Sequence, residues 1–97
     1  MTQLIQTDTP LVGNRVNAGR AKRTYQATVV GTGAVAANIN IEVSNNGTDF
    51  LLLGSISPAG TTRATDGFTS DAPWAFARAN VTSISGTEAT VTVVTEA

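Results

Sequence analysis

The sequence predicts an all-β protein: an antiparallel β-sandwich or jelly roll of about seven or eight strands, preceded by an extended N-terminal arm. Residues 35–43 alternate apolar and polar side chains over nine positions, which is the period of a half-buried strand. Turn-forming residues recur at intervals of roughly ten positions, as they do in sandwiches and jelly rolls. No stretch shows the apolar period of an amphipathic helix.

The predicted strands follow one another as distinct runs. Residues 24–30 alternate around Tyr25, and residues 35–43 follow a glycine-containing turn at 31–33. The run FLLLGSIS at 50–57 is apolar at successive positions, which predicts a strand buried on both faces. The polar run at 61–68 predicts an edge strand. Alternating runs at 74–84 and 88–96 complete the set.

Residues 1–21 are predicted to form the arm and residues 22–97 the β domain. Glycine and proline interrupt the arm, so one short strand is expected, at Leu4–Gln6. Four of the six basic residues of the chain lie close together near its end, with no acidic residue between them. They could dock on an acidic partner or simply keep the lead-in to the first strand solvated. We favour docking, because an irregular segment gains order most simply on a partner. The four residues are Arg15, Arg20, Lys22 and Arg23.

The stretch SNNGTDF, at residues 44–50, separates two predicted strands. Asn46 and Gly47 are the dipeptide that a type I′ hairpin turn prefers, because both tolerate a positive φ. We therefore expect a tight hairpin, after which Phe50 returns the chain to the core.

The run at 74–84 has two faces of different character. One carries Trp74, Phe76 and Arg78, and the other carries small residues, chiefly alanine. We expect the aromatic face in the core, because the chain has only five aromatic residues to fill it. The alternative puts the alanines inside and leaves the aromatics at an interface.

The amino-acid composition excludes several kinds of catalytic site. The net charge is -1, and the chain contains neither cysteine nor histidine. The chain therefore cannot form a Ser–His–Asp triad or use a thiolate, and no pair of its carboxylates stands in a recognisable catalytic context. We expect no enzyme activity, no metal and no cofactor. Nothing in the charge distribution favours nucleic acid or a membrane as partner.

Two stretches, INIEVSNNGTDFLLLGSIS and DGFTSDAPWAFARANVTSISGTEATVTV, resemble small all-β virion proteins of tailed bacteriophages, of the head decoration or cement class. The resemblance spans residues 25–94 and rests on strand-and-turn features. A weaker resemblance is to discoidin-like, galactose-binding jelly rolls. Phe50 and Asn46 stand here where that family has Trp and Asp, and its cysteines are missing, so no sugar-binding residue is carried over.

The phage resemblance implies a non-enzymatic structural protein of the virion, made in the host cytoplasm. It would bind the major capsid protein on the outer surface of the head as a homo-oligomer, a dimer or trimer. The alternatives are a carbohydrate-binding or adhesin-like module on a virion, and a neck or tail component. The predicted contact residues are Arg15, Arg20, Lys22, Arg23, Trp74 and Arg78.

Overall fold

The computed structural model describes residues 2–19 and 22–96, which form seven β-strands. Two strands are unusually long, β4 and β7, and the other five pair along them. The strands are β1 (Thr2–Thr7), β2 (Leu11–Val12), β3 (Val16–Asn17), β4 (Arg23–Ser44), β5 (Leu51–Ile56), β6 (Ala59–Ser70) and β7 (Phe76–Glu96).

All seven strands belong to one antiparallel sheet. β4 and β7 pair along nearly their whole length, from Thr24 opposite Glu96 to Ser44 opposite Phe76. β5 and β6 follow each other along the free side of β4, and β1, β2 and β3 follow each other along the free side of β7. The predicted all-β antiparallel class is confirmed, whereas the jelly-roll topology is not, because the pairing gives a single sheet.

The sheet bends across its long strands. β4 has 22 residues, which would span roughly 70 Å if straight, yet the longest dimension of the molecule is 39 Å. The pairing of β4 with β7 shifts register between Val30 and Ala36, and Glu88 on the opposite strand has a φ of 56°. These irregularities are the bulges that let a strand turn a corner.

The bend divides the sheet into two halves that face each other. The proximal half comprises β2, β3, β5 and residues 36–44 and 76–84 of the long strands. The distal half comprises β1, β6 and residues 23–30 and 90–96. The two halves are in close contact at Gly54 of β5 and the Phe68 ring of β6. A Cβ atom added to Gly54 would lie only 2.9 Å from that ring. Phe68 also packs on Tyr25, with 5.3 Å between ring centroids.

The core lies between the two halves and is built mainly of aliphatic side chains. Alternate residues of each long strand point into it, as the period of two requires. Ala77, Ala79 and Val81 are almost fully buried, whereas Phe76 and Arg78 are half-buried on the other face. The expectation that Phe76 fills the core is therefore wrong. Two sheet faces meet closely in the core, so the small alanine side chains of β7 fit between them. The larger buried side chains are Ile39, Ile41, Ile56, Val29, Val91 and Val93.

The N-terminal segment lies along β7. The expected strand at Leu4–Gln6 falls within β1, and β2 and β3 add further pairs with β7. Leu4, Ile5 and Ala18 are buried in the core. This segment therefore supplies one edge of the sheet, as well as core side chains.

Candidate functional site: an arginine-aromatic face

The outer face of the proximal half carries charged and aromatic side chains side by side. Phe76, Arg78 and Asn80 alternate with the buried alanines of β7, and the sheet register places Glu42 of β4 directly opposite Arg78. All four side chains are half-buried. We call this set, together with Phe50, the arginine-aromatic face.

Glu42 is the polar centre of this face. Arg78 donates from Nε to its Oε1 over 2.7 Å, and Asn80 donates from Nδ2 to its Oε2 over 3.2 Å. The exposed fractions of the Arg78 and Glu42 side chains are 31% and 18%. Because both carboxylate oxygens already accept hydrogen bonds, Glu42 is suited to holding Arg78 in place rather than to transferring protons.

Phe50 packs beneath Arg78. The guanidinium carbon of Arg78 lies 4.0 Å from the centroid of the Phe50 ring, a cation–π contact. Phe50 is half-buried on the outer face, so the expectation that it returns the chain to the core is wrong.

Arg15 holds the N-terminal segment on this face. It donates from Nη1 to the carbonyl oxygen of Gly47, and its guanidinium carbon lies 5.0 Å from the centroid of the Phe76 ring. Arg15 thus joins the segment between β2 and β3 to both the β4–β5 loop and β7.

The β4–β5 loop is held by side chains rather than by a tight turn. Ser44 is fully buried, and its Oγ accepts hydrogen bonds from the backbone N–H groups of Asn46 and Gly47. Oδ1 of Asn46 accepts from the N–H groups of Thr48 and Asp49. Gly47 has a φ of 75°, whereas Asn46 is not among the residues with positive φ. The expected type I′ turn is therefore wrong, because an Asx-type network satisfies the backbone in its place.

The other predicted basic residues have different surroundings. Arg23 donates from Nε to Thr95 Oγ1 and from Nη1 to the carbonyl oxygen of Ala18, so it ties β4 to β7 and to the N-terminal segment. Lys22 is exposed. Arg20 lies outside the described residues. Of the predicted basic cluster, two arginines thus make internal contacts that explain their positions.

Trp74 lies just before β7, half-buried against the edge of the core. Asn45 fixes the backbone here, because its Oδ1 accepts from the N–H of Ala75. The structure therefore brings Trp74 and Arg78 to the same end of the proximal half as Arg15, whereas Lys22 precedes the distal half and Arg23 begins it.

The sequence reasoning missed four exposed aliphatic side chains. Leu51 and Leu52 are 49% and 57% exposed at the start of β5, and Leu11 and Val12 are 52% and 48% exposed in β2. The expectation that the FLLLGSIS run is buried on both faces is wrong for its first two leucines. β5 is an edge strand in this half of the sheet. Hydrophobicity alone cannot predict this exposure, because it does not report which strands lie at an edge.

Within residues 2–19 and 22–96, no group of three or more acidic or histidine side chains is placed to hold a metal ion. A shallow depression on the distal outer face is lined by Thr24, Gln26, Val94, Thr95 and Glu96. No helix in the described part of the chain is long and apolar enough to span a membrane.

The comparisons with known proteins concern the fold. No family model matches the sequence, and no curated protein matches it. The fold is similar to that in the crystal structure of the SPBc2 prophage-derived protein YomS, with a TM-score of 0.52 and 20% sequence identity. The alignment covers 97% of this chain and 89% of that chain. The similarity therefore concerns the fold, which the two proteins share over nearly their whole lengths.

Proposed function

We propose that this chain is a non-enzymatic structural protein of a bacteriophage virion, which binds the outer surface of the head and stabilises it. The observation that carries the proposal is the fold shared with a prophage-derived protein over 97% of the chain. The sequence resemblance to head decoration proteins, which spans residues 25–94, supports it independently of that fold comparison.

The arginine-aromatic face is the surface that we propose to contact the major capsid protein. Aromatic residues and arginine are enriched in the centres of protein interfaces, and here Phe50, Phe76 and Arg78 lie together on one outer face. The charges of Glu42 and Arg78 cancel each other, so we expect shape and apolar contact to provide most of the affinity. Trp74, half-buried against the edge of the core just before β7, is the further aromatic residue that we propose for the contact.

The role of the predicted basic cluster follows from its contacts. Arg15 and Arg23 hold the N-terminal segment on the sheet, so we propose that they act on the capsid indirectly, by shaping the surface. Lys22 is exposed and is the described member of the cluster that we propose for a direct contact with acidic capsid groups.

The decisive experiment is cryo-electron microscopy of purified particles together with binding to heads assembled without this protein. We expect density for the β domain on the outer surface of the head and saturable co-sedimentation with the bare heads. Density at the neck or tail would move the protein to a different part of the virion. Absence of the chain from purified particles would refute the proposal.

A second experiment tests the proposed contact face. The double variant Glu42→Gln, Arg78→Gln leaves the net charge unchanged but removes the cation–π contact, and Trp74→Ala removes the further aromatic residue. We expect each to weaken co-sedimentation with bare heads about tenfold or more, as loss of interface-centre residues does. Gln26→Ala, exposed on the central strand β4 in the distal half, is the control away from this face and should bind normally. Equal binding by all variants would exclude this face.

A further inference from the structure

Each of the two long edges of the sheet includes a short strand without charged residues. One edge, which we call the arm edge, consists of β1, residues 8–10, β2 and β3, and the opposite one consists of β5 and β6. The order from one to the other is N-terminal strands, β7, β4, then β5 and β6, with every neighbouring pair antiparallel. The two edges therefore run in opposite directions, so that joining them edge to edge would continue the antiparallel alternation.

In the proximal half, both edges present adjacent aliphatic side chains and no charge. β2 exposes Leu11 and Val12, and β5 exposes Leu51 and Leu52. Neither strand contains a charged residue. Natural edge strands are usually blunted by charge, proline or bulges, because an apolar edge pairs with another chain. These two edges lack charge at the point where each is most apolar.

In the distal half, the same two edges carry opposite charges at the same level. Thr7, Val91, Val29 and Ala64 form one row across the sheet. Asp8 follows Thr7 at the arm edge, and Arg63 precedes Ala64 at the other. Both side chains are exposed, and within the described residues neither has a hydrogen bond or ion pair. Charge and apolar surface are thus arranged in complementary fashion on opposite edges.

We propose that copies of this chain associate head to tail, with the β5–β6 edge of one copy pairing antiparallel with the arm edge of the next. Continuing the rows of the sheet places Arg63 beside Asp8 of the next copy. It also places Leu52 within one pleat repeat, about 7 Å, of Val12 of that copy, a diagonal distance that long aliphatic side chains reach. The occupant of each edge is therefore the other edge of an identical chain.

Head-to-tail association has a consequence that two-fold pairing lacks. A growing assembly always keeps one free edge of each kind at its two ends, so addition continues unless a ring closes. This inference rests on the proposed function, binding to the outer surface of the head, and it specifies how the copies of the homo-oligomer expected from the sequence meet there. A ring of such copies would present several arginine-aromatic faces to the capsid at once, which multiplies weak contacts.

Two edge-blocking variants test the arrangement. Val12→Lys blocks the arm edge and Leu52→Lys blocks the β5 edge, and both positions are exposed, so folding should be retained, as circular dichroism will check. Sedimentation velocity at increasing concentration should show wild-type oligomers but only monomers of either variant alone. An equimolar mixture should form dimers and nothing larger, because each variant keeps the one edge that the other needs.

This mixing experiment separates head-to-tail from two-fold association. If β5 paired with β5 of a second copy, Val12→Lys would still form dimers and the mixture would add nothing new. That result, or a wild-type chain that stays monomeric at all concentrations, would overturn the inference.

The charge pair provides an independent check. Arg63→Glu should weaken association about tenfold through repulsion from Asp8 of the next copy, and Asp8→Arg should do the same through repulsion from Arg63. The double variant Asp8→Arg, Arg63→Glu should restore it, because the charges are exchanged rather than lost. Failure of the double variant to associate would contradict the proposed pairing. If the wild type associates in this way but does not bind bare heads, the function is wrong and the assembly stands.

Discussion

At the residue scale, the arginines of this protein serve mainly to hold its segments together. Arg15 joins the N-terminal segment to the β4–β5 loop and to Phe76, Arg23 joins it to β4 and β7, and Arg78 joins Phe50 to Glu42. Arginine suits this work, because its planar group donates several hydrogen bonds while stacking on a ring. A cluster of basic residues in the sequence is therefore a weak indicator of an anionic partner.

Arg15→Ala should lower the free energy of unfolding by about 1–2 kcal/mol, since it removes a hydrogen bond to a carbonyl and a cation–π contact. Lys22→Ala, in the same basic cluster but exposed, should change stability by less than about 0.5 kcal/mol. Urea denaturation of both variants measures this difference. Equal effects would mean that the Arg15 contacts contribute nothing to stability.

Tyr25 should make stability fall at high pH. Burial raises the pKa of Tyr25 above its ordinary value, and the positive charge of Arg23 opposes the rise only in part. Above about pH 10 the unfolded chain ionises this tyrosine while the folded chain does not. The free energy of unfolding should then drop by up to about 1.4 kcal/mol per pH unit, until the folded pKa is reached. At neutral pH the group contributes no such dependence.

Tyr25→Phe is the matched variant for this effect, because the ring that packs on Phe68 stays in place. Urea midpoints at about pH 8 and about pH 10.5 should differ less for the variant than for the wild type. The comparison cancels any pH dependence that the variant and the wild type share. An identical pH dependence would show that Tyr25 ionises equally easily in both states.

At the element scale, the β4–β5 connection illustrates how local sequence signals can mislead. Asn46-Gly47 is the preferred pair for a two-residue hairpin turn, and Gly47 does adopt the positive φ that such a turn needs. The buried hydroxyl of Ser44 and the side chain of Asn46 instead satisfy four backbone N–H groups of a longer loop. The loop forms because these two side chains compete successfully with the tight turn.

Ser44→Ala should therefore destabilise the protein by about 1–3 kcal/mol, because the N–H groups of Asn46 and Gly47 lose their acceptor in a part-buried site. Thr48→Ala is the control in the same loop, since the network uses only its backbone N–H. Thermal unfolding followed by circular dichroism would compare them. Similar melting temperatures for both variants would rule out the proposed importance of the Ser44 hydroxyl.

At the scale of the whole molecule, the N-terminal segment is part of the fold. Removing residues 1–19 deletes β1, β2 and β3 and takes Leu4 and Ile5 from the core. Burial of these two side chains is worth about 3–6 kcal/mol, a large part of the 5–15 kcal/mol that typically stabilises a domain. We expect the truncated chain to lose cooperative unfolding in urea.

A synthetic peptide of residues 1–19 should restore that cooperative transition when added to the truncated chain, since its strands can pair again with β7. A peptide with Leu4 and Ile5 replaced by serine is the control and should not restore it. Cooperative unfolding of the truncated chain without any peptide would show that the remaining sheet folds alone. Capsid-binding tests should for this reason use point variants instead of truncation.

Much of the fold could be predicted from alternation, because the period of two in residues 35–43 reports a half-buried strand whatever its partners. The same pattern could not say which face of residues 74–84 turns inward. Both faces alternate equally well, and the choice depends on the space between two facing halves of a sheet, which admits Ala77 and Ala79. The exposed Leu51 and Leu52 escaped prediction for a related reason, since edge positions are created by pairing.

The sequence by itself determined that the chain forms antiparallel strands and that it offers no histidine or cysteine side chain for chemistry. These properties depend on residue type and local period. Only the tertiary structure decided that β4 and β7 bend so that one sheet encloses the core, that Arg78 stacks on Phe50, and that apolar and charged groups complement each other on opposite edges. Such properties depend on contacts between residues far apart in the chain, and a local pattern carries no record of them.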